Sequence, residues 1–114
     1  MEPLKLAHTI VDALEEKKGE KIILLDIQKV ASFTDYFVIC TGTSDRMLDA
    51  LAKSVQDAMR EKHQRKGRIE GQPHDGWLVV DFGSVVVHLF SRDQRNYYRL
   101  EELWQEGKVL VRVQ

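Results

Sequence analysis

The sequence predicts an α+β fold: a single domain of order α-β-β-α-β-β-α, with a mixed sheet and packed helices. Three observations predict it. Apolar residues recur at helical spacing in three segments, four short runs rich in β-branched residues lie between them, and glycines fall at the joints. A chain of 114 residues is the size of one domain, since independent cores form at about 100–150 residues. Its 43% hydrophobic and 31% charged residues, with two prolines, exclude a disordered or Pro-rich chain.

Leu6, Ile10 and Leu14, with Ala7 and Val11, make one apolar face between about Pro3 and Lys18, and Gly19 supplies the stop. Ile22-Ile23-Leu24-Leu25-Asp26-Ile27 reads as a buried strand, and Tyr36-Phe37-Val38-Ile39-Cys40-Thr41 as a second. Gly42-Thr43-Ser44 breaks that strand and offers an N-cap, with Asp45 favourably placed in a first helical turn. The second helix carries the stripe Leu48, Leu51, Ala52, Val55 and Met59, runs into a basic segment, and ends at Gly67 or Gly71.

From Trp77 to Ser91 two β-branched runs flank Gly83-Ser84, a Gly-first pair suited to a type II′ hairpin turn. Pairing across it sets Leu78, Val80 and Phe82 opposite Leu89, Val87 and Val85 on a uniformly apolar core face. The other face sets Trp77, Val79 and Asp81 opposite Phe90, His88 and Val86. Two readings of that mixed face stand open: another part of this chain covers it, or a partner does. A third helix, Asp93 to Glu106, carries Tyr97, Leu100, Leu103 and Trp104. Residues 108–114 are set apart as a C-terminal tail that alternates weakly, either an edge strand or a partly ordered end. A right-handed crossover through the second helix places the second strand and the Trp77 strand parallel in one sheet.

Seventeen basic against eighteen acidic side chains leave a net charge of −1, which excludes a general nucleic-acid coating protein. The charge is uneven: Arg60, Lys62, Arg65, Lys66 and Arg68 cluster with only Glu61 against them. Either the cations complement a helix C-terminus or they meet an anionic partner such as RNA. No apolar run approaches the roughly 20 residues of a membrane span. The start Met1-Glu2-Pro3 resembles no export signal, and the lone Cys40 makes no disulfide framework. The expected compartment is the cytoplasm, with no membrane partner and no DNA.

Chemistry is sparse. His8, His63, His74 and His88 have no metal-ligand spacing, and one cysteine makes no zinc knuckle. There is no strand-to-helix Gly-x-Ser-x-Gly elbow for a nucleophile, and Cys40 in an apolar strand reads as core. Gly42-Thr43-Ser44 has the look of an anion cradle, but no Lys follows it and Asp45 sits where a phosphate would. A nucleotidyl-transferring enzyme needs paired carboxylates for Mg²⁺, and Asp81 stands alone on its strand. No catalytic residue, cofactor or metal is expected.

Several ordered motifs resemble one family. Thr34-Asp35-Tyr36-Phe37-Val38-Ile39, then Gly42-Thr43-Ser44 with Arg46, then Gly76-Trp77-Leu78-Val79-Val80-Asp81-Phe82-Gly83 and Val85-Val86-Val87-His88 are similar to the ribosomal silencing factor, or Iojap-like, family. The likeness continues through Arg95, Tyr97-Tyr98 and Leu100-Glu101-Glu102-Leu103-Trp104. Ser84 departs from it, standing where an acidic residue is common after the turn glycine.

The resemblance implies a translation repressor and not an enzyme, on a fold similar to a degenerate nucleotidyltransferase. It implies binding to ribosomal protein L-fourteen on the large subunit and a steric block to small-subunit joining when nutrients are short. Trp77, Val79, Asp81, His88 and Phe90, extended by Tyr98 and Arg46, are then the expected docking surface, with Asp81 and His88 fixing orientation. Lys62, Arg65 and Lys66 are the expected secondary contact to ribosomal RNA. Two other classes remain: a nucleotide-binding enzyme resting on Gly42-Thr43-Ser44, and a homodimer of the free protein using the same sheet face.

Overall fold

The structure, a computed structural model, describes residues 3–98 and 107–113, with Tyr98 described in its backbone alone. Helix α1 (Pro3–Glu16) buries Leu6, Ala7, Ile10, Val11, Ala13 and Leu14, the stripe its apolar spacing dictates. Its stop differs from the expected one. Lys18, at φ +64°, takes the left-handed position, and Gly19 N–H donates to Leu14 O in the six-to-one bond of a Schellman end. Glycine is needed at 19 for space: a Cβ there would run into Cys40 Sγ.

Strands β1 (Glu20–Asp26) and β2 (Tyr36–Thr41) pair antiparallel, Leu24 opposite Val38. Helix α2 (Asp45–His63) begins where the sequence places it, with Ser44 Oγ accepting from Met47 N–H at 3.0 Å. Leu48, Leu51, Ala52, Val55 and Met59 are its buried residues. It ends at Gln64, left-handed at φ +54°, and not at Gly67 or Gly71.

Beyond that stop lies a strand the sequence reading does not contain, β3 (Arg68–Gln72). All five of its residues are exposed, so no burial pattern announces it. Pairing with β4 (Trp77–Asp81) holds it. Strand β5 (Val85–Phe90) completes the hairpin in the expected register, with Leu78 opposite Leu89, Val80 opposite Val87 and Val79 opposite His88. The turn is tighter than type II′. Ser84 N–H donates to Phe82 O around Gly83 at φ +89°, and Phe82 N–H donates to Val85 O. Helix α3 (Arg92–Tyr98) follows; Leu100, Leu103, Trp104 and the expected helix end at Glu106 lie outside the described residues. The C-terminal tail takes the edge-strand alternative and supplies the last strand, β6 (Lys108–Val113), antiparallel to β1 at the end of the sheet.

The sheet order is β3-β4-β5-β2-β1-β6. Its one parallel pair is β2 with β5, Val38 opposite Val87, so the expected parallel pairing of β2 with the Trp77 strand is corrected. The crossover through α2 leads to β3, which runs in the direction of β2 but with two strands between them. The hairpin fills the gap between them. Both long helices cover one face, where α1 and α2 pack against Ile22, Leu24, Val38, Cys40, Val80, Val87 and Leu89. A second, smaller cluster forms on the opposite face: Ile23, Leu25, Ile27, Phe37, Ile39, Val86 and Phe90.

Candidate docking face

The second face is built of three rungs that cross four strands each, because residues opposed in a ladder share a face. One rung runs Phe37, Val86, Asp81, Arg68; the next Ile39, His88, Val79, Glu70; the third Thr41, Phe90, Trp77, Gln72. Each rung grades from buried on β2 and β5, through half-exposed on β4, to exposed on β3. What remains open is a strip along β4 and β3.

This grading corrects the expected surface. Trp77, Val79 and Asp81 do lie half-exposed on the strip, but Phe90 is 0% exposed and His88 is 8% exposed. Burial makes Phe90 a floor beneath Trp77, ring centroids 5.0 Å apart, and not a contact residue. Arg46 is exposed on the first turn of α2, in the helical layer and off this strip. The Tyr98 side chain lies outside the described residues. Lys62 is in the last turn of α2, in the helical layer, and Arg65 and Lys66 follow its Gln64 stop in the segment that leads into β3. Pairing with β4 brings in Arg68, Glu70 and Gln72, which sequence reasoning missed because β3 carries no apolar alternation. Phe33, 61% exposed, was missed too; it packs at 5.8 Å on Phe37 from the loop before β2.

His88 does not present a charge to a partner. Its Nδ1 lies 3.3 Å from Trp77 Nε1, whose indole N–H donates to it, so the imidazole proton sits on Nε2. That Nε2 is buried with no hydrogen-bond partner among the described residues. Phe37 meets the ring edge-on at 4.6 Å and Phe90 stacks 6.2 Å away. Burial pushes the His88 pKa down to about 4, against the opposing pull of Asp81, and the ring is neutral at pH 7. Its role here is to hold the indole of Trp77.

Asp81 is committed within the chain. Its Oδ1 accepts from Gly83 N–H at 2.7 Å, and Oδ2 lies 3.6 Å from Arg68 Nη2. Arg68 Nε also meets Glu70 Oε2 at 2.9 Å. The strip therefore offers an indole and a valine bordered by a mixed, mostly self-satisfied row of charges. That is the composition of an interface core with a polar rim.

Other motif residues are structural. The Cβ that a side chain at Gly42 would carry meets the Leu48 side chain, and Gly42 N–H donates to Phe90 O at 2.8 Å. With Ser44 spent as a cap, the Gly42-Thr43-Ser44 turn is explained by packing and capping. Arg95 is buried and donates to Thr41 Oγ1 at 2.9 Å, which ties α3 to the end of β2. Burial raises the Cys40 thiol pKa to about 12, with Arg95 pulling it down, so the thiol stays protonated at neutral pH. Among the described residues no group of three His, Cys, Asp or Glu could hold a metal ion, and no helix is long and apolar enough to cross a membrane.

Comparison with known proteins extends the picture. A family model described as ribosomal silencing factor during starvation matches residues 1–114. The ribosomal silencing factor of Bacillus subtilis is 40% identical over 95 residues, which cover 83% of this chain and 80% of that protein. A mouse protein named mitochondrial assembly of ribosomal large subunit protein 1 is 37% identical over 98 residues, 83% of this chain but 43% of its own length. A crystal structure of a Chromobacterium violaceum protein superposes with a TM-score of 0.87 at 36% identity, covering 97% of this chain and 94% of that one. The order of strands and helices, the motifs along them and these matches agree: the chain belongs to the ribosomal silencing factor family.

Proposed function

We propose that the protein represses translation sterically. The β4–β3 strip docks on ribosomal protein L-fourteen of the large subunit, with Trp77 as its anchor, and the body of the domain then stands where the small subunit would join. The reading keeps the chain in the cytoplasm and gives it no catalytic step. Family membership supports a ribosome-associated silencing role. The observation that carries the docking mode is Trp77 itself, a half-exposed indole fixed from below by Phe90 and by the bond to neutral His88. A pre-positioned indole loses little freedom on binding, and tryptophan is prominent among interface hot spots.

The test is Trp77→Ala in binding to purified large subunits. A hot spot is worth about 2 kcal/mol or more, or about a 30-fold weaker Kd. Unchanged affinity in a variant with a wild-type circular dichroism spectrum would remove Trp77 from the interface. A nucleotide-binding reading has only the Gly42-Thr43-Ser44 turn in its favour, and capping by Ser44 accounts for that turn.

A further inference from the structure

Where the parallel strands β2 and β5 end, the chain departs to opposite sides of the sheet. Thr41 and Phe90, paired across that ladder, are the last residues of the two strands. From β2 the chain passes into α2 on the helical face, whereas α3, which follows β5, sends Arg95 to Thr41 Oγ1 on the second face at 2.9 Å. Such a divergence beyond the carboxyl ends of parallel strands opens the kind of crevice in which open sheets bind their ligands. The start of β1 closes another side of it, since Glu20 lies opposite Thr41.

A cavity of about 110 Å³ occupies this crevice, lined by Glu20, Lys21, Thr41, Arg92, Arg95 and Asn96. Among the described residues, three cationic side chains face one carboxylate there, in a chain whose net charge is −1. Arg95 is only 5% exposed, so its guanidinium is an inner wall and not a surface charge. Arg92 already holds an oxyanion: its Nε and Nη2 donate to Glu20 Oε1 at 3.3 and 3.1 Å. Lys21 is placed by backbone strain. β1 loses register with β2 between Glu20 and Ile23, and Lys21 takes φ +49° within that bulge. Lys18 and Gln64, the other left-handed non-glycine residues among those described, both end helices. No helix end accounts for Lys21, and glycine would fit its backbone better. What explains a lysine in that conformation is the place its side chain reaches, the wall of this cavity.

We infer that the cavity binds a phosphate-sized oxyanion, with the Lys21 ammonium and the Arg92 and Arg95 guanidinium groups donating to its oxygens. Guanidinium forks match the oxygens of a phosphate, and the ammonium adds a compact third charge. Glu20 is then an internal competitor that Arg92 exchanges for the ligand. The volume admits the anionic group alone, so a ligand larger than free phosphate leaves its remainder outside. The inference goes beyond the docking reading and does not depend on it, since neither Trp77 nor the β4–β3 strip lines the cavity. The Gly42-Thr43-Ser44 turn is not part of it either.

The experiment titrates the protein with inorganic phosphate, and separately with methyl phosphate, at pH 7 and constant ionic strength, and follows the backbone amide resonances. Saturable shifts at Lys21, Thr41, Arg92 and Arg95 are expected. Binding of inorganic phosphate alone identifies the free anion as the ligand; equal affinity for methyl phosphate identifies a phosphate carried on carbon. Lys21→Gly suits the positive φ, so it keeps the fold, and it should weaken Kd about tenfold, the worth of one hydrogen bond to a charged group. Glu20→Gln removes the competing carboxylate and should tighten Kd by about two- to fivefold, a change that a purely structural ion pair does not produce. Three results would overturn the inference: no saturable shift with either ligand, shifts confined to Arg65 and Lys66, or unchanged affinity in Lys21→Gly with a wild-type circular dichroism spectrum. Weaker binding by folded Glu20→Gln would overturn it as well.

Discussion

Acidification should destabilise this fold through His88 in a predictable window. The folded-state pKa is depressed from 6.5 to about 4 because the ring is buried. A depressed histidine contributes stability that is fully present above the unfolded pKa. As pH falls below about 6.5 the unfolded chain takes up a proton that the folded chain refuses, and stability drops until about pH 4, where the folded ring protonates as well. A shift of this size is worth about 3 kcal/mol across the window, with about 1.4 kcal/mol already lost near pH 5.5. Carboxylates also titrate there, so the informative quantity is the difference between wild type and His88→Asn. The asparagine places an amide oxygen near the position of Nδ1, keeps an acceptor for the Trp77 indole N–H and does not titrate. Urea unfolding at pH 7, 5.5 and 4 should show wild type losing about 3 kcal/mol relative to that variant between the extremes. In parallel, the Trp77 indole N–H resonance should shift in wild type only as pH approaches 4, when the acceptor at Nδ1 is lost. A pH-independent difference in stability would refute the burial argument.

Three further outcomes follow from packing. Gly19→Ala forces a methyl against Cys40 Sγ and the Leu14 carbonyl, and should cost about 1–3 kcal/mol in chemical denaturation. Gly83→Ala meets no atom within 4 Å, so its cost is only that of a positive φ, about 1–2 kcal/mol, measured in the same way. Cys40, buried and held protonated, should resist thiol reagents at pH 7 in the folded protein and react at the ordinary rate in denaturant; native labelling would contradict its placement.

What the sequence discloses here follows from burial. β2 and the hairpin were legible because their inner faces are uniformly apolar, and a two-residue turn sets Val79 opposite His88 without ambiguity. The α2 stripe and the Ser44 cap were legible for the same local reasons. β3 was not. Its five exposed residues obey no alternation, and only the neighbour across the ladder makes it a strand. The parallel partner of β2 was misplaced because β3, unseen, takes the slot after the crossover.

The candidate docking face shows the same division. Alternation told which side chains share the second face, but not how deep each one lies. Depth depends on position across the sheet: Phe90 and His88 are on an interior strand, Trp77 and Val79 one strand nearer the open edge. That is why two of the five expected contacts on the sheet, Phe90 and His88, are buried beneath the strip. The missed members, Arg68, Glu70 and Gln72, come from the strand the sequence did not announce.

In the proposed mechanism the domain sits on the large subunit and keeps the small one away. Sucrose-gradient sedimentation of the tagged protein with both subunits tests it most directly. Co-migration with the free large subunit, absence from joined ribosomes, and a smaller joined fraction as the protein is added are the expected results, with Trp77→Ala failing in all three. Protein travelling with joined ribosomes, or joining that proceeds undiminished at saturating protein, would contradict it.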